Sequence, residues 1–120
     1  MNKKTVVIGV SAKADRYSNR AVKMLNKYGH EVIALGFESA TVEHIAIQTK
    51  WEFYDNVDTV TLYLNPQRQK EYYSYILSLH PKRIIFNPGT ENIELEQLAK
   101  NKHIQVLEAC TLVLLTTQQY

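Results

Sequence analysis

The sequence predicts an α/β fold, a three-layer α/β/α arrangement with a five-stranded parallel sheet in the order 3-2-1-4-5. Three observations lead there. Short apolar runs rich in β-branched residues recur along the chain with little polar alternation, which suits strands buried on both faces. Between them, apolar residues return at helical spacing. Turn-forming residues at Gly29, Gly36, Asn65-Pro66 and Asn87-Pro88-Gly89 separate the two periods. Alternation of strand and helix builds a parallel sheet through right-handed crossovers, with both faces covered.

The elements follow in order. Val6, Val7, Ile8 and Val10 form the first strand, which ends in a Gly-x-Ser turn. Ala21, Val22, Met24, Leu25 and Tyr28 make the stripe of a helix, with Ser18 as its N-cap and Gly29 as its stop. Glu31 to Gly36 is the second strand. Phe37 to Val57 shows no sustained period and reads as an irregular crossover with a short strand or a helical turn. Val57 to Leu64 is the third strand. Asn65-Pro66 starts a helix, Asn as N-cap and Pro at the first helical position, and this helix ends before Pro81. Ile84, Ile85 and Phe86 are the fourth strand. A further helix starts between Thr90 and Ile93 and runs to about Asn101, with Glu91, Glu94 and Glu96 where the helix dipole favours negative charge. Ile104, Val106 and Leu107 are the fifth strand, and Cys110 to Leu115 forms a short capping helix.

Composition narrows the function classes. A chain of 120 residues, 45% hydrophobic and 22% charged, fits one folded domain over residues 1–120 and excludes whole-chain disorder. Fourteen Lys+Arg against twelve Asp+Glu leave a net charge of +2, too weak and too mixed to indicate nucleic acid or a membrane. One cysteine excludes an internal disulfide. No apolar run approaches the roughly 20 residues of a membrane helix. The basic start and apolar Thr5–Val10 imitate a signal peptide, but Lys13, Asp15 and Arg16 follow closely, so a buried strand explains them and a cytoplasmic location is expected.

In a Rossmann-like sheet of this order, ligands gather at the carboxyl ends of the strands, in the crevice where the order reverses. The expected crevice lies between the first and fourth strands. The loops that reach it are Gly9–Arg20, Gly36–Ser39, Leu64–Pro66, Asn87–Gly89 and Cys110. The first is the most informative. Gly9 permits a tight turn, followed by Val10, Ser11, Ala12, Lys13, Ala14, Asp15, Arg16, Tyr17, Ser18, Asn19 and Arg20. Ser11, Ser18 and main-chain N–H groups can donate to an anion at a helix N-terminus, and Lys13, Arg16 and Arg20 add charge. The loop is neither G-x-G-x-x-G nor a P-loop, and the same residues also suit an ordinary polar βα loop. The second strand ends in Leu35-Gly36-Phe37, without the acidic residue that holds an NAD ribose, and Glu38 comes late. That argues against NAD and leaves room for an adenine nucleotide along Gly36 and Phe37.

Gly9-x-Ser11, Arg16, Ser18, Leu25-x-x-x-Gly29, Val32, Val57-Asp58, Asn65-Pro66, Asn87-Pro88-Gly89 and Cys110-Thr111 together resemble the small stand-alone CoA-binding domain proteins. These are similar to the N-terminal domain of the succinyl-CoA synthetase α subunit. The resemblance spans essentially the whole chain. It implies that the first loop and helix hold the coenzyme A pyrophosphate, that Gly36 and Phe37 meet adenosine, and that Leu64, Asn65 and Pro66 line the site. The family usually carries Asn-Pro after the second strand, often with a lysine able to meet the 3′-phosphate; here Phe37-Glu38-Ser39 stands instead, and Glu38 would repel a phosphate. The synthetase's phosphohistidine belongs to a further domain. Non-catalytic binding of coenzyme A or a related adenine nucleotide is therefore expected. An NAD(P)-dependent oxidoreductase-like protein and an interaction module that has lost its ligand remain alternatives.

The remaining features are read blandly. His30, His44, His80 and His103 lack any metal-ligand spacing, and no nucleophile–base order carries a local signature. Cys110 suits a small buried hydrophobe, or a thiol that forms a mixed disulfide with coenzyme A under oxidation. Tyr72, Tyr73 and Tyr75, beside Arg68 and Lys70, suit core packing better than base stacking on RNA. Leu112–Leu115 covers the sheet edge or contributes to a homodimer or another protein contact.

Overall fold

The computed structural model describes residues 2–120. Its elements are β1 (Thr5–Val10), α1 (Tyr17–Lys27), β2 (Val32–Gly36), β3 (Thr41–Val42), β4 (Ile45–Gln48), β5 (Thr59–Leu62), α2 (Pro66–Gln69), a 3₁₀ turn (Lys70–Tyr72), α3 (Tyr73–Ser78), β6 (Arg83–Phe86), α4 (Ile93–Asn101), β7 (Gln105–Glu108) and α5 (Thr111–Thr116). The sheet order is β3-β4-β2-β1-β5-β6-β7. Every neighbouring pair is parallel except β3–β4, which is antiparallel.

This corrects the expectation of five parallel strands ordered 3-2-1-4-5. The strand expected beyond β2, at Val57–Leu64, is β5, and it pairs directly with β1 from Thr5↔Thr59 to Ile8↔Leu62. The place beside β2 belongs to β4, inside the stretch read as an irregular crossover. β4 joins β2 through only Ala34↔Ile47 and Leu35↔Gln48, and β3 spans two residues. Elements that short leave almost no periodicity to read. With β4 counted, the chain runs outward from β1 through β2 to β4, then crosses to β5 on the other side. The crevice therefore opens between β1 and β5, not between β1 and the Ile84–Phe86 strand.

The sheet packs on both faces. Val6 and Ile8 of β1 join Leu62, Ile76, Phe86 and Leu95 in one cluster, while Val7 and Val10 join Val22, Leu25 and Leu115 in the other. Strict alternation would send Val10 to the Val6 face. A register shift between Ile8 and Val10 marks an extra residue at Gly9, and this bulge turns Val10 over.

Helix starts follow capping chemistry in part. Asn65 caps α2, its Oδ1 accepting from the Arg68 N–H at 2.9 Å, and Asn92 caps α4 in the same manner. Ser18 is not the cap of α1. Arg16 occupies that position without a side-chain cap, and Ser18 lies in the first helical turn. The expected single helix after Asn65 is broken by the 3₁₀ turn and ends at Ser78, before Pro81.

Candidate functional site

Two glycines bring three strand ends together. Gly9 has φ +96°, and a Cβ there would stand 2.9 Å from Leu64 Cδ2 and 3.1 Å from the Tyr63 carbonyl. The missing side chain lets the β5–α2 loop close over the end of β1. At Gly36 a Cβ would stand 2.5 Å from the Val10 carbonyl oxygen, so β2 also approaches β1 closely.

The loop from β1 to α1 holds its own shape. The Ser11 N–H donates to Ser18 Oγ at 3.0 Å, the Lys13 N–H donates to Ser11 Oγ at 3.1 Å, and Asn19 Nδ2 donates to the Ser11 carbonyl at 2.9 Å. Ser11 and Ser18 thus spend acceptor capacity on the loop, and their hydroxyl protons are still available for donation. Asn19 is buried, and its Oδ1 has no partner.

These pieces enclose a cleft of about 320 Å³ lined by Gly9, Val10, Ser11, Lys13, Arg16, Phe37, Glu38, Tyr63, Leu64 and Arg68. Three cations face one carboxylate. Among the described residues the ion pairs are Lys4–Asp55 and Lys82–Asp58, both away from the cleft. Phe37 is 44% exposed. Its ring lies 5.4 Å from Trp51, whose Nε1–H donates to the Gly36 carbonyl at 3.1 Å. The Arg68 guanidinium sits 4.2 Å over the Phe37 ring. Burial, followed by the nearby Cys110 thiol, pushes the Tyr63 phenol well above its ordinary range, so it stays protonated at neutral pH.

The structure gathers Gly9, Val10, Ser11, Lys13, Arg16, Phe37 and Leu64 on the cleft wall. Gly36 lies just beneath it. Asn65 and Pro66 start α2 beside Leu64. Ser18 and Asn19 are buried supports of the loop. Tyr17 and Arg20 stack on each other, 5.6 Å apart, and Arg20 lines a separate hollow with Lys23 and Lys27. Asn87, Pro88, Gly89 and Cys110 stand at the ends of β6 and β7, outside the cleft lining. The Asn87 amide is fully engaged: Nδ2 donates to Thr61 Oγ1 and the Leu62 carbonyl, and Oδ1 accepts from the Thr111 N–H. Cys110 is half-buried before α5.

Tyr63 and Arg68 were not among the residues expected at the nucleotide cleft. Tyr63 looked like the polar partner in an alternating strand. Arg68 entered the sequence reading only beside Tyr72, Tyr73 and Tyr75, in an RNA-stacking group less fitting than core packing, although a cation three residues past an N-cap sits on the turn nearest the strand ends. A larger hollow of about 560 Å³, lined in part by Lys3, His30 and Tyr120, lies apart from every candidate residue. Among the described residues, no group of three or more His, Cys, Asp or Glu side chains could hold a metal, and no helix is long and apolar enough to cross a membrane.

Residues 3–116 match the profile of the CoA binding domain family. The chain belongs to that family. The resemblance carried by Gly9-x-Ser11, Asn65-Pro66 and Asn87-Pro88-Gly89 is thus a family relationship. An uncharacterized protein of known crystal structure is 43% identical, with a TM-score of 0.97 over 100% of this chain and 99% of that one. A hypothetical protein from Pyrococcus horikoshii OT3 is 22% identical, with a TM-score of 0.83 over 93% and 80% of the two chains. Aspartate dehydrogenase from Thermotoga maritima, 17% identical with a TM-score of 0.62, covers 89% of this chain and 45% of its own; the likeness is one of fold. No curated protein matches the chain. The Rossmann-like α/β architecture of this CoA-binding domain is common to these neighbours.

Proposed function

We propose that the protein binds coenzyme A, or a closely related adenine nucleotide, in the cleft between β1 and β5, and that it does so without catalysis. The observation that carries this reading is the bulged, cation-flanked turn at Gly9, set at the reversal point of the sheet in a chain of the CoA-binding domain family. Lys13, Arg16, the Ser11 hydroxyl and the first N–H groups of α1 receive the diphosphate. Phe37, with Gly36 behind it, flanks the adenosine, and Leu64 forms the facing wall, with Asn65 and Pro66 starting α2 beside it. The cleft offers no base–nucleophile pair: its phenol is held protonated and its single carboxylate is exposed.

Thermal shift and calorimetric titration with CoA, acetyl-CoA, NAD, NADP and ATP test the reading. CoA at a hundred times its dissociation constant should add about 2.7 kcal/mol to stability, roughly a 10 °C rise in melting temperature. Saturating CoA without shift or heat would refute the proposal. Tighter binding of NAD or NADP would move the assignment to a nicotinamide nucleotide.

A further inference from the structure

We infer that Arg68 is the residue by which this domain selects a nucleotide carrying a phosphate on its ribose, reading the 3′-phosphate of coenzyme A. The inference rests on the CoA reading proposed above and deepens it. The cleft's cations come from two separate elements. Lys13 and Arg16 belong to the loop after β1, and Arg68 comes from α2, which follows β5. One compact diphosphate needs only the first group. Two cationic walls in one cleft suit a ligand with two separate anionic groups, and coenzyme A carries a diphosphate and a ribose phosphate.

The setting of Arg68 fits phosphate reading. Its main chain is pinned by the Asn65 cap, and its guanidinium carbon stands 4.2 Å from the centre of the Phe37 ring. Phe37 is in turn backed by Trp51 and Tyr72 at 5.4 and 6.1 Å. A cation–π contact with the ring uses none of the guanidinium's N–H groups as hydrogen-bond donors, so its N–H fork can meet a bidentate acceptor. Among the described residues no hydrogen bond or ion pair engages that fork. Glu38 lines the same cleft, and Arg68 adds a positive charge on that wall to offset its carboxylate.

Calorimetry with CoA and 3′-dephospho-CoA tests this on the wild type, Arg68→Ala, Arg68→Lys and Glu38→Gln. Arg68 is exposed, and a thermal melt checks that each variant is folded. The wild type should prefer CoA by roughly tenfold or more, the scale of charge-assisted hydrogen bonds. Arg68→Ala should weaken CoA by about that factor and dephospho-CoA much less, bringing the ratio close to one. Arg68→Lys, with charge but no fork, should fall between. Glu38→Gln should strengthen CoA more than dephospho-CoA. Equal wild-type affinity for the two ligands, or equal weakening of both by Arg68→Ala, would overturn the role of Arg68 while leaving CoA binding standing. Failure of both ligands to bind the wild type would overturn the CoA reading, and this inference with it.

Discussion

Replacing Gly9 by alanine should damage both the fold and the cleft, in separable amounts. An L residue at φ +96° is strained by about 1–3 kcal/mol. The new Cβ would also press on Leu64 Cδ2 at 2.9 Å and on the Tyr63 carbonyl at 3.1 Å. The leucine tip can give way, but the carbonyl moves only with the β5–α2 loop. The two terms together come to roughly 2–4 kcal/mol, a fall in melting temperature of roughly 10–15 °C for a chain of this size. Gly29 supplies the control. It has φ +84°, yet an added Cβ meets nothing within 4 Å, so Gly29→Ala carries the strain without the collision. Urea and thermal unfolding of both variants isolate the close-approach term. CoA titration well below the melting point should show Gly9→Ala weakened at least ~tenfold, because the wall at Tyr63 and Leu64 has moved, and Gly29→Ala unchanged. If Gly9→Ala is no less stable than Gly29→Ala and binds CoA as the wild type does, the account of the convergent strand ends is wrong.

Three further outcomes are expected. Asn87→Ala removes three buried hydrogen bonds and strands the Leu62 carbonyl and the Thr111 N–H; urea unfolding should show a loss of about 3–5 kcal/mol, and a loss under about 1 kcal/mol would contradict that role. Burial, then the neighbouring Glu108 carboxylate, raises the Glu96 carboxyl above its ordinary range. Its stability contribution is therefore full in acid and lost as pH rises through the folded value, so Glu96→Gln should melt higher than wild type at pH 7 with the gain vanishing near pH 4; a pH-independent difference would refute this. Burial, then Lys3 and Arg83, lowers the His30 imidazole below its ordinary 6.5, and its neutral Nδ1 accepts the Lys3 N–H at 2.9 Å. That contribution is present above 6.5 and lost as pH falls below it, so protection of the Lys3 amide against hydrogen exchange, corrected for intrinsic rate, should drop from pH 7.5 to 5.5, and a flat profile would count against it.

Long or strongly patterned segments were legible in the sequence. β1, α1 and β2 follow from the Val6–Val10 run, the Ala21–Tyr28 stripe and Gly29; α2 follows from Asn65-Pro66, and α4 from its acidic first turn. Topology failed where an element was too short to show a period. β4 has four residues and β3 has two, and without them β5 was placed beyond β2 instead of beside β1. One misplaced strand moved the expected crevice toward β6. The cap of α1 failed for a different reason: Ser18 accepts from the Ser11 N–H seven residues earlier, a contact that no local rule anticipates. In the candidate site, the glycine turn and its cations were readable because main-chain geometry and charge are local properties. Arg68 and Tyr63 were not, because their role depends on which strand neighbours β1.

The central claim is that a CoA-like nucleotide sits between β1 and β5. Two-dimensional amide NMR of the intact chain during a CoA titration tests it most directly. The account predicts saturable shifts at Gly9–Tyr17, Gly36–Glu38 and Tyr63–Arg68, and none around Lys3, His30 and Tyr120. Unmoved amides at saturating CoA, or shifts centred on the Lys3–His30–Tyr120 hollow, would contradict it.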